Sequence, residues 1–258
     1  MSRTGIYVYA VVPATPTISE PTGVAGAPVD LIPVADLSLV ASEVDLDDLA
    51  ALNDPATDPM SLGALAERHD AVVRAAMDSS GSVLPFRLGT VLTDRDAAAQ
   101  FVTSRADDFR QTLARLRKCF EWGVKVAESG SEETTGAGSG DQARGVDSPA
   151  GEKPGTAYLA RRREQFAGAE RRRQQRAEVV EDVHRALSEV AVESVPGTGR
   201  ESGVLLDEVY LVPGSDQERF LDTAYDLGER LHVEGLTLRV TGPWPPYSFA
   251  RPRETADD

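Results

Sequence analysis

Residues 129–153 read SGSEETTGAGSGDQARGVDSPAGEK, and this stretch decides how the chain is built. It is rich in Gly, Ser, Thr and acidic residues, holds no aromatic, and has Val146 as its only large aliphatic. Such a composition buries too little apolar surface to offset the entropy of ordering, so a disordered linker or loop is expected here. Strand and helix signals alternate on both sides of it. The expected architecture is therefore α+β, in two lobes, each a small sheet with helices on one face.

Working outward towards the N-terminus, residues 5–12 (GIYVYAVV) form a β-rich run closed by Pro13, which reads as a first strand. A second strand is expected at 37–44, after Pro33, and the acidic DLDDLA that follows reads as a helix start. Ser61 caps a helix to about residue 80, with Leu62, Leu65, His69, Val72, Val73 and Ala76 on one stripe. Residues 82–92 (SVLPFRLGTVL) are β-rich but interrupted by Pro85 and Gly89, which points to an edge strand or a bulged hairpin. Thr93 or Asp94 then caps a helix to about 118, with Phe101, Phe109, Leu113 and Leu116 as its apolar positions, and a strand is expected at 121–127.

Beyond the linker, a long helical run from about 156 to 193 is apolar at its two ends and polar in the middle. It either projects into solvent or folds back as a helical hairpin. A strand at 204–212, an amphipathic helix at 215–233 and a strand at 236–241 complete the pattern. The expected division is an N-terminal domain at 1–118, a strand joining the lobes at 119–128, the linker at 129–153, a C-terminal domain at 154–241 carrying an Arg-rich helix, and a Pro/aromatic tail at 242–258.

Across 258 residues, 27 basic side chains face 42 acidic ones, a formal charge of −15. That balance disfavours phosphate backbones and anionic membrane surfaces as partners. No apolar run reaches membrane-spanning length. Arg3 before the run 5–12 imitates a signal peptide, but the short β-rich segment reads as a strand, and a cytoplasmic location is expected. Cys119 is the single cysteine, which suits a buried structural thiol in a reducing compartment. His69, His184 and His232 form no HExxH or HxH pair, and no GxSxG, GxGxxG or GxxxxGK[ST] occurs. No catalytic residue, cofactor or metal is expected, so the chain reads as one that acts by binding another chain.

Two segments bear on the partner. Arg161, Arg162, Arg163, Arg171, Arg172, Arg173 and Arg176 crowd one helical region, where they could track nucleic acid. The interspersed Glu164, Glu170 and Glu178 favour intrahelical pairing instead, and no aromatics suited to base stacking accompany them. Residues 242–249 (GPWPPYSF) hold three prolines that stiffen the chain and take it out of the sheet. Their three aromatics serve either as a clasp on the protein's own core or as partner anchors.

The chain resembles the gas vesicle protein F/L family, accessory proteins of gas vesicle formation. The resemblance rests on IYVYAVV at 6–12, RHDAVVRAAMDSSGSVLPFRLGTVL at 68–92, PGTAYLARRR at 154–163 and TGPWPPYSF at 241–249. Leu88 departs from it where an aromatic is expected before Gly-Thr. The resemblance implies two α+β domains with ferredoxin-like elements, and a role in assembling a protein-walled, gas-filled organelle. It implies the small hydrophobic shell-forming subunit and other accessory proteins as partners, and no nucleic acid or membrane. On that reading Arg87, Trp244, Tyr247 and Phe249 are the candidate partner-binding residues. A nucleic-acid-binding regulator using the arginine helix and a small-molecule-sensing module are the alternatives.

Overall fold

The computed structural model describes residues 3–14, 18, 22–47, 49, 59–129, 154–199 and 203–250. Apart from Ser129, the low-complexity stretch 129–153 lies outside them, as do Asp48 and Ala50 of the DLDDLA segment, whose described residues end a strand and turn where a helix start was expected. Two antiparallel sheets with flanking helices make up the fold.

The first sheet contains β1 (Thr4–Pro13), β2 (Asp30–Val34), β3 (Leu37–Asp45), β4 (Leu84–Pro85) and β5 (Val91–Leu92). Their order is β2-β3-β1-β4, with β5 also pairing with β1. The stretch 82–92 is thus an interrupted edge: both short strands pair with β1, and residues 86–90 turn between them. The sheet has helices on both faces, not on one. Helix α1 (Pro59–Ser80) covers a core of Tyr7, Tyr9, Ala10, Val12, Val40, Val72, Val73 and Ala76. Helices α2 (Arg95–Ser104) and α3 (Ala106–Leu116) cover Ile6, Val8, Val11, Leu39 and Leu84 on the opposite face.

This explains why 5–12 is continuously apolar: β1 is central and buried throughout, from Gly5 to Val12. A bulge between Val8 and Ala10 shifts its register against β3, so the inward parity changes from 7 and 9 to 10 and 12. The run expected as one helix from 93 to 118 is two. It breaks at Arg105 (φ −125°, ψ 15°), after Thr103 and Ser104 turn their hydroxyls back onto the carbonyls of Ala99 and Phe101.

The second sheet has order β7-β8-β6-β9, from β6 (Cys119–Glu128), β7 (Glu193–Pro196), β8 (Val204–Pro213) and β9 (Leu236–Trp244). In chain order this half runs β6, α4 (Pro154–Ser188), β7, β8, α5 (Gln217–Val233), β9. The Arg-rich run is one continuous 35-residue helix rather than a hairpin. Its C-terminal part packs Val183 and Leu187 with Trp122, Val124, Tyr210, Phe220 and Leu231. Contrary to expectation, residues 242–244 do not leave the sheet: β9 continues to Trp244. It is an edge strand with a register shift opposite Glu121 and Gly123, and an edge or bulge tolerates proline. Among the described residues, no helix is long and apolar enough to cross a membrane.

Candidate functional site: where both ends of the chain meet helix α1

The residues quoted for 68–92 and 241–249 come together in space. On α1, His69 is buried between the two tyrosines of β1. Its Nε2 lies 3.1 Å from the Phe86 carbonyl and so carries the proton, because a carbonyl only accepts. Nδ1 therefore accepts from the Tyr7 hydroxyl at 2.9 Å, and Tyr7 in turn accepts from the Gly89 amide at 3.1 Å. Burial holds His69 below its ordinary pKa, in the neutral form, and pushes Tyr7 up to about 12. Tyr9 donates to Ser42, accepts from the Val24 amide, and is likewise raised by burial.

These bonds fix the turn 86–90 at both ends. Within it, Thr90 bonds the Arg87 carbonyl through its amide and its hydroxyl, and Gly89 has φ +82°, a conformation in which a Cβ is strained. Arg87 stands exposed at the top of the turn.

The C-terminal segment crosses the same helix. Arg74, paired with Asp70 at 2.5 Å one helical turn away, donates to the Pro243 carbonyl at 3.0 Å and lies 4.8 Å over the Trp244 ring. Tyr247 packs beside His69 and donates to Asp70 at 3.2 Å. Burial, and then the Asp70 carboxylate, raise its pKa. The Ser248 amide and hydroxyl donate to Glu121 at 2.7 and 3.0 Å; burial nevertheless holds Glu121 above the usual carboxylate range. Phe249 is 2% exposed and packs with Leu116, Cys119 and Leu211. Its carbonyl accepts from Arg115, which also pairs with Glu193 of β7 at 2.7 Å.

Of the four candidate residues, Arg87 and Trp244 remain open, Trp244 at 42% exposure; Tyr247 is half-buried and Phe249 turned inward. A clasp over the second lobe was the alternative expected for the tail; instead its aromatics and backbone join the second sheet to α1 and α3. His69, Tyr7, Asp70, Arg74 and Glu121 were not singled out as site residues, since the contacts that give them their roles here (Tyr7 with His69, Ser248 with Glu121, Arg74 with Pro243, Tyr247 with Asp70) span 62 to 177 positions in sequence. Cys119 is buried, and its thiol is raised by burial. His184 pairs with Glu208 at 2.5 Å beside Tyr210. On α4, Arg176 pairs with Glu128, and Arg162 stacks over Phe166.

Residues 5–251 match the family described as gas vesicle synthesis protein GvpL/GvpF. Gas vesicle protein L from Streptomyces sp. (strain CB03234) is 32% identical over 256 residues, covering 95% of this chain and 92% of that one. Gas vesicle protein L1 from Halobacterium salinarum is 30% identical over 199 residues, 70% of this chain and 68% of that one. Among solved structures, the gas vesicle protein GvpF from Anabaena sp. PCC7120 superposes with a TM-score of 0.68 over 96% of both chains at 16% identity. GvpF from Microcystis aeruginosa gives 0.67 over 96% of this chain and 99% of that one, at 16% identity. These two likenesses speak to the fold; the match across 5–251 and the Streptomyces relative establish that this chain belongs to the GvpL/GvpF family of gas vesicle synthesis proteins.

Proposed function

We propose that the protein serves gas vesicle formation as an accessory factor of the cytoplasm and the nascent vesicle. It binds the small hydrophobic shell-forming subunit, alongside other accessory gas vesicle proteins, and keeps that subunit dispersed until incorporation. A shell subunit with an apolar surface and pairing strand edges aggregates when released alone. A binder with a formal charge of −15 covers that surface and keeps the complex apart from its neighbours.

The observation that carries this reading is Trp244. A large indole is held in the open at the end of a sheet edge by Arg74, which bonds the preceding carbonyl and stacks on the ring. A fixed, exposed aromatic is the kind of residue that anchors a partner at low entropic cost. Arg87 offers a cation on the neighbouring turn, while Tyr247 and Phe249 hold the anchor in place from within.

The test is sedimentation of the shell subunit on dilution from denaturant, with and without this chain. The native chain is expected to retain the subunit in the supernatant, and Trp244→Ser and Arg87→Glu to retain less while remaining folded. Equal retention by both variants would remove these residues from the contact surface.

A further inference from the structure

The second sheet leaves its longest edge open. Strand β9 pairs with β6 on one side, and among the described residues no strand pairs with the other. The remaining edges are protected. Strand β2 is five residues long with Pro33 inside it, and Arg95 of α2 pairs with its Asp30. Strand β7 has four residues and ends in Pro196, and the β4–β5 edge is interrupted by the turn at 86–90. Strand β9 runs nine residues, and proline enters it only at position 243. An open edge of this length offers a row of backbone donors and acceptors to an incoming strand.

Alongside the edge lies a groove of about 620 Å³, lined by Leu221, Tyr225, Gly228 and His232 of α5 and by Leu238 and Val240 of β9. Helix geometry puts it there. Helix α5 buries Phe220, Ala224, Leu227 and Leu231 against the sheet. The stripe one residue further on is rotated by about 100° and looks past the last strand. Leu221 and Tyr225 consequently stay 40% and 68% exposed. Gly228 opens the floor: a Cβ built there meets nothing within 4 Å. The rim carries Asp222 and Glu229, both exposed and in no ion pair among the described residues.

We propose that this groove binds an extended apolar strand of a protein partner, with Lys or Arg at its ends. The strand adds to the free edge of β9 and sets alternate side chains between β9 and α5, its basic ends meeting Asp222 and Glu229. The edge leads to Trp244, so the inference deepens, and rests on, the reading of this chain as a binder of another protein. A second copy of the chain is a poor occupant, because it brings the same acidic rim and the same charge of −15.

The test uses the full chain and a labelled synthetic peptide alternating Val and Thr between terminal lysines, with a glutamate-ended peptide as control. The lysine-ended peptide should bind about tenfold or more tightly than the control and slow amide exchange in β9. Gly228→Leu fills the groove, and because leucine is the better helix former the variant should fold at least as well as the native chain; it should lose peptide binding. Equal binding of both peptides, binding that survives Gly228→Leu, or protection at β2 in place of β9 would overturn the proposal. Peptide binding at β9 by a chain that does not retain the shell subunit would support the groove while the proposed function fails. Retention of that subunit by Gly228→Leu as well as by the native chain would overturn the groove and leave the proposed function standing.

Discussion

His69 touches both the turn at 86–90, through Phe86, and the C-terminal Tyr247, and its chemistry sets a pH dependence. It is held neutral in the fold, below its ordinary pKa of 6.5, by burial. The folded state therefore binds fewer protons than the unfolded chain once the pH drops below about 6.5. The stability His69 supports is fully present above that value and is lost as pH falls through it. His69→Ala should lose about 3 kcal/mol at neutral pH, because the Tyr7 hydroxyl and Phe86 carbonyl lose their buried partner and a cavity opens. Denaturant titration at several pH values checks both, since the variant should also lose this part of the acid slope. Glu121 has the opposite sign. Its pKa is raised from 4.5 by burial, so the folded state holds its proton longer, and its contribution is greatest below that value and falls as pH rises through the raised one. Glu121→Gln should therefore gain stability relative to the native chain between pH 4 and pH 7, a change measurable by thermal melts across that range. The sequence offered Arg87, Trp244, Tyr247 and Phe249 alike, on an interrupted strand and a proline-stiffened tail, without separating the two that stay exposed from the two that turn inward. It could not offer His69 or Glu121 as partners of the tail, because their roles come from pairings across the chain that no local spacing encodes.

At the scale of elements, the strand–helix pattern was readable wherever one face dominates. The stripe of α1, the alternation of β9 at 236–240 and the stripe of α5 all emerge from spacing alone. Strand β2 was passed over because Pro33 reads as a boundary, yet at a sheet edge a missing donor costs nothing. Strand β7 is four residues long and too short for a pattern. The break at Arg105 lacks Gly or Pro and arises from side-chain hydroxyls competing for backbone carbonyls. The continuation of β9 through Gly242 depends on backbone space. Gly242 has φ +133°, and a Cβ there would lie 2.8 Å from the Glu121 carbonyl and 3.0 Å from the Trp122 ring. Gly242→Ala should cost about 2–4 kcal/mol and displace Trp244, read as a lower melting temperature together with changed tryptophan emission. Arg74→Ala should cost about 1–2 kcal/mol and redden the same emission, through loss of the Pro243 bond and the ring contact.

At the scale of the whole molecule, the C-terminal segment turns two sheets into one object. Phe249 fills the space between Leu116 and Leu211, Arg115 ties it to β7, and Tyr247 reaches α1. The same arrangement leaves Trp244 outside, at the end of the β9 edge that no other described strand pairs with. A sequence alone shows two patterned halves and a rigid aromatic tail; which half the tail closes over depends on packing. The central claim is that this chain holds the shell-forming subunit in soluble form. Its most direct measurement is co-purification of the two from cells expressing both, beside a chain carrying Trp244→Ser. A soluble complex with the native chain, diminished with the variant, is the predicted result. A folded native chain that leaves the shell subunit aggregated and unbound would contradict it.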